Sequence, residues 1–389
     1  MFPFSLYLPT RIYAGRDCVE QLPDAVKNYG QNVLIAYGGG SVARSGLLDR
    51  VKNLLCGFNL IEFSGITPNP KLAAVRAGVK ICRENKIDFI VSLGGSSALD
   101  CCKHIAAAVA YEGEPWDLVT DSAKIGECLP IFAVMTMAAT GSEYDGYGVI
   151  TREDTHEKLE IMSENLFPAA AFLDPCYTFS VPAFQTASGA ADIISHVFEQ
   201  YFVAKGNILT DGFCEAMLRT VVNCTPAAIR EPNNYDARYQ LMMASIFGCC
   251  GLLSMARTPS PWPCHAIEHE VSAWYDVTHG AGLAVIIPRW MRYSLNRDTA
   301  RRFARYGYNV FSIEKTEDPY ADAMKAIDAT AEFFRQIGLP DRLSDLNSAI
   351  TDEHFKEMAL HIEKSWSDLK NSFVPIDEDG ILTILKESL

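Results

Sequence analysis

An α/β domain followed by an all-helical domain is predicted by three observations. Short β-rich runs alternate with helix-like segments through about residue 178, long helical stretches replace them from residue 184, and Pro175 and Pro182 interrupt the chain where the rhythm changes. The expected division is 1–178 and 179–389. In order, "NVLIAYG" (32–38) reads as a buried strand, "VARSGLLDRVKNLLCG" (42–57) as a helix and "FNLIEFSG" (58–65) as a strand. "KLAAVRAGVKICRENK" (71–86) is a helix with apolar residues mostly three or four apart, "IDFIVSLGG" (87–95) a third strand, and "ALDCCKHIAAAVAY" a third helix. That alternation implies a mainly parallel sheet. The long helical stretches span 184–203, 209–231, 234–256 and 318–339.

Composition narrows the partners. The 389 residues are 49% apolar and 21% charged, ordinary for a globular chain, and the length favours two domains. The net charge of −14, from 48 acidic and 34 basic side chains, disfavours nucleic acid and acidic membranes. No basic region leads into a long apolar run at the N-terminus, and every apolar stretch breaks before about 18 residues, so neither a secretory signal nor a membrane span is expected. The twelve cysteines are scattered, without repeated pairs two residues apart, which argues against zinc knuckles and disulfide staples and for a reducing, cytoplasmic setting.

Two glycine junctions stand where strands should end: "YGGGS" (37–41) and "LGGSSALD" (93–100). Neither is a Gly-x-Gly-x-x-Gly fingerprint or an ATP-binding P-loop, and tight strand-to-helix turns would use the same residues. Glycines nevertheless let the backbone approach a ligand, and amides at a helix start can hold a pyrophosphate. A third junction, "VMTMAATGSEYDG" (134–146), adds Thr136, Thr140, Gly141 and Ser142 after an apolar strand. Three such junctions at strand ends fit a cofactor site of an open α/β sheet.

Asp192 and His196, in "ADIISHVFEQ", lie four apart on one face of a helix, where a carboxylate and an imidazole can converge on a divalent cation or simply bond to each other. "PWPCHAIEHEVSAWYDVTHG" (261–280) holds His265, His269 and His279, three of the eight histidines. It lacks the His-Glu-x-x-His order of helical zinc proteases. His265 and His279 would complete a set of one oxygen and three nitrogen donors suited to Fe(II), Zn(II) or Ni(II).

Across nearly its full length the chain resembles the iron-containing, group III alcohol dehydrogenases, in their butanol dehydrogenase or aldehyde reductase branch. The resemblance runs through "SLYLPTRIYAGRD", "YGGGSVARSG", "GITPNP", "LGGSSALDCCK", "ATGSE", "LDPCYTFSVP", "DIISHVFEQY", "HAIEHEVSAWYDVTHG" and "IGLP". It implies an N-terminal Rossmann-like dinucleotide domain and a C-terminal helical metal domain of the dehydroquinate synthase-like type. It also implies Asp192, His196, His265 and His279 as ligands of one Fe(II) or Zn(II), and His269 as a residue near substrate and nicotinamide.

The resemblance further assigns Gly94, Gly95, Ser96 and Ser97 to the pyrophosphate, with Asp100 and Lys103 in the helix that follows. Thr136 and Thr140 would face the cofactor, with Lys158 on the nicotinamide side, and Ser142 of the third junction joins the expected cofactor-binding set. Gly38, Gly39, Gly40 and Ser41 would meet the adenosine end, where no carboxylate opposes a 2′-phosphate, so NADP(H) is expected over NAD(H). Ser96, in place of a common glycine, and the bulky "YDGYGVI" with Tyr144 and Tyr147 depart from the family pattern. A small aldehyde or alcohol is the expected substrate and a homodimer the expected assembly. Leu253, Met255, Trp262, Trp274 and Tyr275 are candidates to cover a short alkyl tail. The rival readings are a glycerol dehydrogenase-like polyol oxidoreductase and a noncatalytic metal- or nucleotide-binding protein.

Overall fold

The structure is a computed structural model and describes residues 2–389. Six strands form one parallel sheet: β1 (Arg11–Ala14), β2 (Asn32–Tyr37), β3 (Asn59–Phe63), β4 (Phe89–Gly94), β5 (Ile131–Met135) and β8 (Ala170–Leu173). Their spatial order is β1-β8-β5-β4-β2-β3. Alternate residues serve opposite cores: Leu34, Ala36 and Ile90 join one apolar cluster, while Val33, Ile35, Phe89 and Val91 join the other. Burial on both faces explains why β2, β4 and β5 read as continuous apolar runs, while the edge strands β1 and β3 stay partly exposed.

From β2 the chain steps outward to β3, then crosses back to β4 on the other side of β2. The topological switch point therefore lies between β2 and β4, where Tyr37 pairs with Leu93. Both glycine junctions leave the sheet at this one place, where open α/β sheets bind ligands.

The longer helices are α1 (Leu47–Leu54), α2 (Leu72–Asn85) and α3 (Ser96–Ala108), then α4 (Ala183–Tyr201), α5 (Ile208–Arg230) and α6 (Tyr235–Ile246). They continue with α7 (Pro263–Tyr275), α8 (His279–Ser294), α9 (Ala300–Phe311), α10 (Pro319–Gln336), α11 (Phe355–Ser365) and α12 (Glu378–Glu387). The single helix expected over 42–57 is divided, because Gly46 at φ 78° separates Ser41–Arg44 from α1. A hairpin of β6 (Tyr147–Arg152) and β7 (Glu157–Met162) was not anticipated by the periodicity. It lies on α3, where Gly148 leaves room for Lys103 and His104; a Cβ there would sit 3.3 Å from both.

Two compact units result: Tyr7–Val181 with Asn233–Cys250, and Pro182–Pro232 with Gly251–Leu389 and the N-terminal segment to Leu6. A linear division after residue 178 therefore does not describe residues 233–250, which return to the sheet unit. Met242 and Ile246 of α6 bury in the sheet's apolar cluster, and Ser245 Oγ bonds both the N–H and the carbonyl of Ala139 at 3.1 Å. The helix expected over 234–256 ends at Ile246, and Gly251 at φ 87° lies in the turns beyond it. Among the described residues all eight strands precede residue 174, and the second unit is helical. Among the described residues no helix is long and apolar enough to cross a membrane.

Candidate metal centre and dinucleotide site

From Thr186 to Tyr201, α4 is buried on every side, as a helix enclosed by other helices must be. It carries Asp192 and His196, α7 carries His265 and His269, and His279 is the first residue of α8. Gly280 makes the crossing possible, since a Cβ there would stand 1.9 Å from the Ser188 carbonyl oxygen of α4. Backbone cannot yield as a flexible side chain can, so this position requires glycine, and the close approach sets His279 beside Asp192.

Asp192 Oδ1 lies 3.7 Å from His196 Nε2 and 3.5 Å from His279 Nε2. The His196 and His265 rings stack with centroids 4.8 Å apart, and those of His265 and His279 are 5.2 Å apart. Donor atoms of Asp192, His265 and His279 all fall within 4.8 Å of one another, and this Asp/His cluster is a divalent-metal-binding site. His265 Nε2 is buried with no hydrogen-bond partner among the described residues, which fits a lone pair reserved for a cation. Burial, then the neighbouring His265 and His279, hold His196 well below the ordinary imidazole range, in the neutral form a ligand needs. For His265 burial acts in the same direction, but the charge and hydrogen bond of Glu199, with Asp192 and Glu268, outweigh it and push the ring upward.

Two carboxylates escaped the sequence reading. His265 Nδ1 bonds to Glu199 Oε2, and Glu199 Oε1 accepts the Cys264 N–H at 2.6 Å. His279 Nδ1 bonds to Glu268 Oε2, and Ser272 donates its hydroxyl to Glu268 Oε1. Each glutamate lies three residues after a predicted ligand, His196 or His265, and Glu199 stands in the largely apolar run "HVFEQYFV". That was the available signal.

His269 is buried beside the cluster, its ring centroid 5.9 Å from that of His265 and 5.3 Å from that of His279. Trp366, which had no place among the candidates, meets it edge-to-face with ring centroids 6.0 Å apart. Trp262 packs edge-on against His265 at 5.3 Å and His196 at 6.0 Å. Trp274 points elsewhere: its Nε1 donates to Glu270 at 2.9 Å and its ring stacks on His354.

In the sheet unit, Gly38–Ser41 and Gly94–Ser97 are at least partly exposed at the switch point. No side chain caps α3 at Gly95, so its first amides remain available to an anion. Thr136 N–H donates to the Gly94 carbonyl at 2.9 Å, and Thr140 Oγ1 donates to Ser96 Oγ at 2.6 Å, bringing the third junction to the second. Asp100 is turned inward, accepting from Ser142 Oγ at 2.7 Å and Val149 N–H at 3.3 Å. Lys103 is fully buried, its Nζ bonded to three carbonyls and Asp145. Lys158 is buried on β7, in register with Thr151. Arg44 Nη1 would lie 3.5 Å from a Cβ on Gly40. Tyr144 packs edge-on against Phe247, and Tyr147 is exposed on β6.

Glu143 follows directly and is buried, with Oε2 unpartnered among the described residues. Burial raises its carboxyl to about 7, and likewise Asp100 to about 6. Both values exceed the ordinary carboxylate range, so the folded state holds protons that the unfolded chain has released. These groups therefore favour folding most near pH 4, and that contribution is lost as pH rises through 6 to 7. Glu143→Gln is expected to raise stability at pH 8 by about 1–3 kcal/mol and by much less at pH 4, measured as paired thermal melts. An equal gain at both pH values would count against this account.

A family model described as iron-containing alcohol dehydrogenase matches residues 9–175, and its C-terminal counterpart matches residues 186–389. NADH-dependent butanol dehydrogenase A of Clostridium acetobutylicum is 42% identical over 391 residues, covering 100% of both chains. NADPH-dependent aldehyde reductase YqhD of Escherichia coli is 38% identical over 348 residues, 88% of each chain. The crystal structure of NADH-dependent butanol dehydrogenase A from Thermotoga maritima superposes with a TM-score of 0.92 at 32% identity, covering 99% of this chain and 98% of that one. Fold and site together define a metal-dependent, NAD(P)(H)-linked alcohol/aldehyde oxidoreductase. The chain belongs to the iron-containing alcohol dehydrogenase family.

Proposed function

We propose that this protein interconverts medium-chain aldehydes and primary alcohols, butanal and butanol among them, with NADP(H) used in preference to NAD(H). The convergence of Asp192, His265 and His279 donors within 4.8 Å, in a chain with a dinucleotide-binding fold, carries the reading. Asp192, His196, His265 and His279 hold one Fe(II) or Zn(II), in the unit formed mainly by residues 182–389. A cation held there supplies Lewis-acid polarisation of a carbonyl oxygen, and the dinucleotide supplies the hydride. His269 holds or passes the alcohol proton, and Trp262 and Trp366 give an apolar wall for the alkyl tail.

The dinucleotide is held by Gly94, Gly95, Ser96, Ser97, Thr136, Thr140 and Lys158 in the sheet unit, with Asp100 and Ser142 bracing the loop between β5 and β6. Its adenosine end lies on Gly38, Gly39, Gly40 and Ser41. Two observations support NADP(H): the turn carries no carboxylate, and Glu62 is engaged by Lys52 at 2.5 Å and Tyr37 at 2.8 Å. Arg44, beside Gly40, is the cation for a 2′-phosphate. The names of the relatives divide on this point, so the ratio of kcat/KM for NADPH and NADH at fixed butanal is the measurement; tenfold in favour of NADH, about 1.4 kcal/mol, would reverse the assignment.

A panel from ethanal to hexanal, with glycerol and lactaldehyde, tests the substrate class. Graded gains of up to about 0.8 kcal/mol per buried methylene are expected. Strong preference for the hydroxylated compounds would support a polyol oxidoreductase, and binding of metal and dinucleotide without turnover a noncatalytic protein. The proposal extends to a cytoplasmic homodimer, checked by light scattering on the eluted protein.

A further inference from the structure

We infer that Glu199 and Glu268 are positioning residues that fix the outer nitrogens of His265 and His279, making these two imidazoles stronger metal donors than His196. The inference rests on the metal reading above and deepens it. Both carboxylates have fully buried side chains, and each uses both oxygens. Glu199 is held between the Cys264 N–H and His265 Nδ1, and so ties α4 to the first turn of α7. Glu268 is held between the Ser272 hydroxyl and His279 Nδ1, and so ties α7 to α8. Gly282 keeps that space open, since a Cβ there would lie 2.9 Å from Glu268 Cγ.

A carboxylate at Nδ1 requires that nitrogen to carry the proton, which leaves the Nε2 lone pair directed inward and prevents the ring from flipping. It also raises the basicity of the imidazole, because positive character drawn onto the ring by a cation is met by a nearby negative charge. Conversely, a buried glutamate is costly unless something positive faces it, and a cation-bound imidazole meets that need. His196 has no such support: its Nδ1 is buried without a hydrogen-bond partner among the described residues.

Zn(II) affinity by chelator competition and the visible spectrum of the Co(II)-loaded full-length protein test this. Glu199→Gln and Glu268→Gln keep shape and one acceptor oxygen but remove the charge. Each is expected to lower Zn(II) affinity about 10–100-fold and to shift the Co(II) bands, effects that a purely packing role would not produce. Glu199→Asp and Glu268→Asp, which keep the charge, serve where a glutamine variant fails to fold, and should fall between wild type and Glu199→Ala or Glu268→Ala. His196→Ala should cost less Zn(II) affinity than His265→Ala. Affinity within twofold of wild type in both glutamine variants, with His265→Ala losing Zn(II), overturns the positioning role while the metal site stands. Equal losses for His196→Ala and His265→Ala overturn the ranking, and full retention by His265→Ala overturns the metal reading itself.

Discussion

Asp192→Asn and His265→Ala are expected to purify with little bound metal and to lower kcat/KM for butanal about a thousandfold or more. Asp192 is the shared point of the cluster, its Oδ1 within 3.7 Å of His196 and 3.5 Å of His279, so its charge serves every neighbouring donor. Asparagine preserves shape but removes that charge, leaving neutral imidazoles to hold a dication. Loss of Lewis-acid stabilisation amounts to several kcal/mol, and about 1.4 kcal/mol corresponds to each factor of ten. His269→Ala should behave differently, keeping its metal while turnover falls about 10²–10⁴-fold, as for loss of a proton-handling group. Metal content by plasma mass spectrometry and turnover on the same samples separate the cases. Normal metal and activity in either of the first two variants would remove that residue from the ligand set, and metal loss in His269→Ala would add His269 to it.

The gathering of Asp192, His196, His265 and His279 was legible because their chemistry leaves a pattern: a carboxylate and an imidazole four apart on a helix, and histidines crowded into a chain with few. Their neighbouring glutamates were less so: Glu268 stands beside His269 and Glu270 like an ordinary helical surface charge, and the apolar run around Glu199 says that a carboxylate is buried, not which group it faces. Four strands of the parallel sheet, β2 to β5, were legible from their apolar runs, whereas β1 and β8, four residues each, were too short to stand out; the order of the strands explains why two unremarkable glycine turns share one location. The β6–β7 hairpin was missed because its alternation is short and partly polar. The return of α6 to the sheet unit was missed for a different reason. Periodicity states that a helix has an apolar face, not which core receives it, and only the fit of Met242 and Ile246 against the sheet decides that. Lys103 is a third kind of case, since a lysine two turns into the helix that follows a glycine junction invites assignment to the phosphate, whereas its ammonium is consumed inside the protein.

That internal use makes Lys103→Met the second substitution of large expected effect. Its Nζ has three N–H groups and four acceptors around it: the carbonyls of Ser142 at 2.6 Å, Asp145 at 2.9 Å and Tyr147 at 2.6 Å, and Asp145 Oδ1 at 2.8 Å. These acceptors span the segment that joins β5 to β6, which also contains Thr140, so one buried ammonium holds the loop proposed to face the cofactor. Burial pushes the Asp145 carboxyl upward while Lys103 opposes that shift, which marks the carboxylate as dependent on its partner. Methionine fills the stem's volume but leaves a buried charge and three carbonyls without a donor. Removing one partner of such a pair costs about 3–5 kcal/mol, which should lower the melting temperature of the sheet unit by about 10 °C. The KM for the dinucleotide should rise more than kcat falls, because the metal ligands lie on other helices. Lys103→Met combined with Asp145→Asn should recover part of the stability, since no uncompensated charge then remains buried. If Lys103→Met instead raises the KM without changing the melt, and the double variant recovers nothing, the lysine acts on the phosphates directly and the loop stands without it.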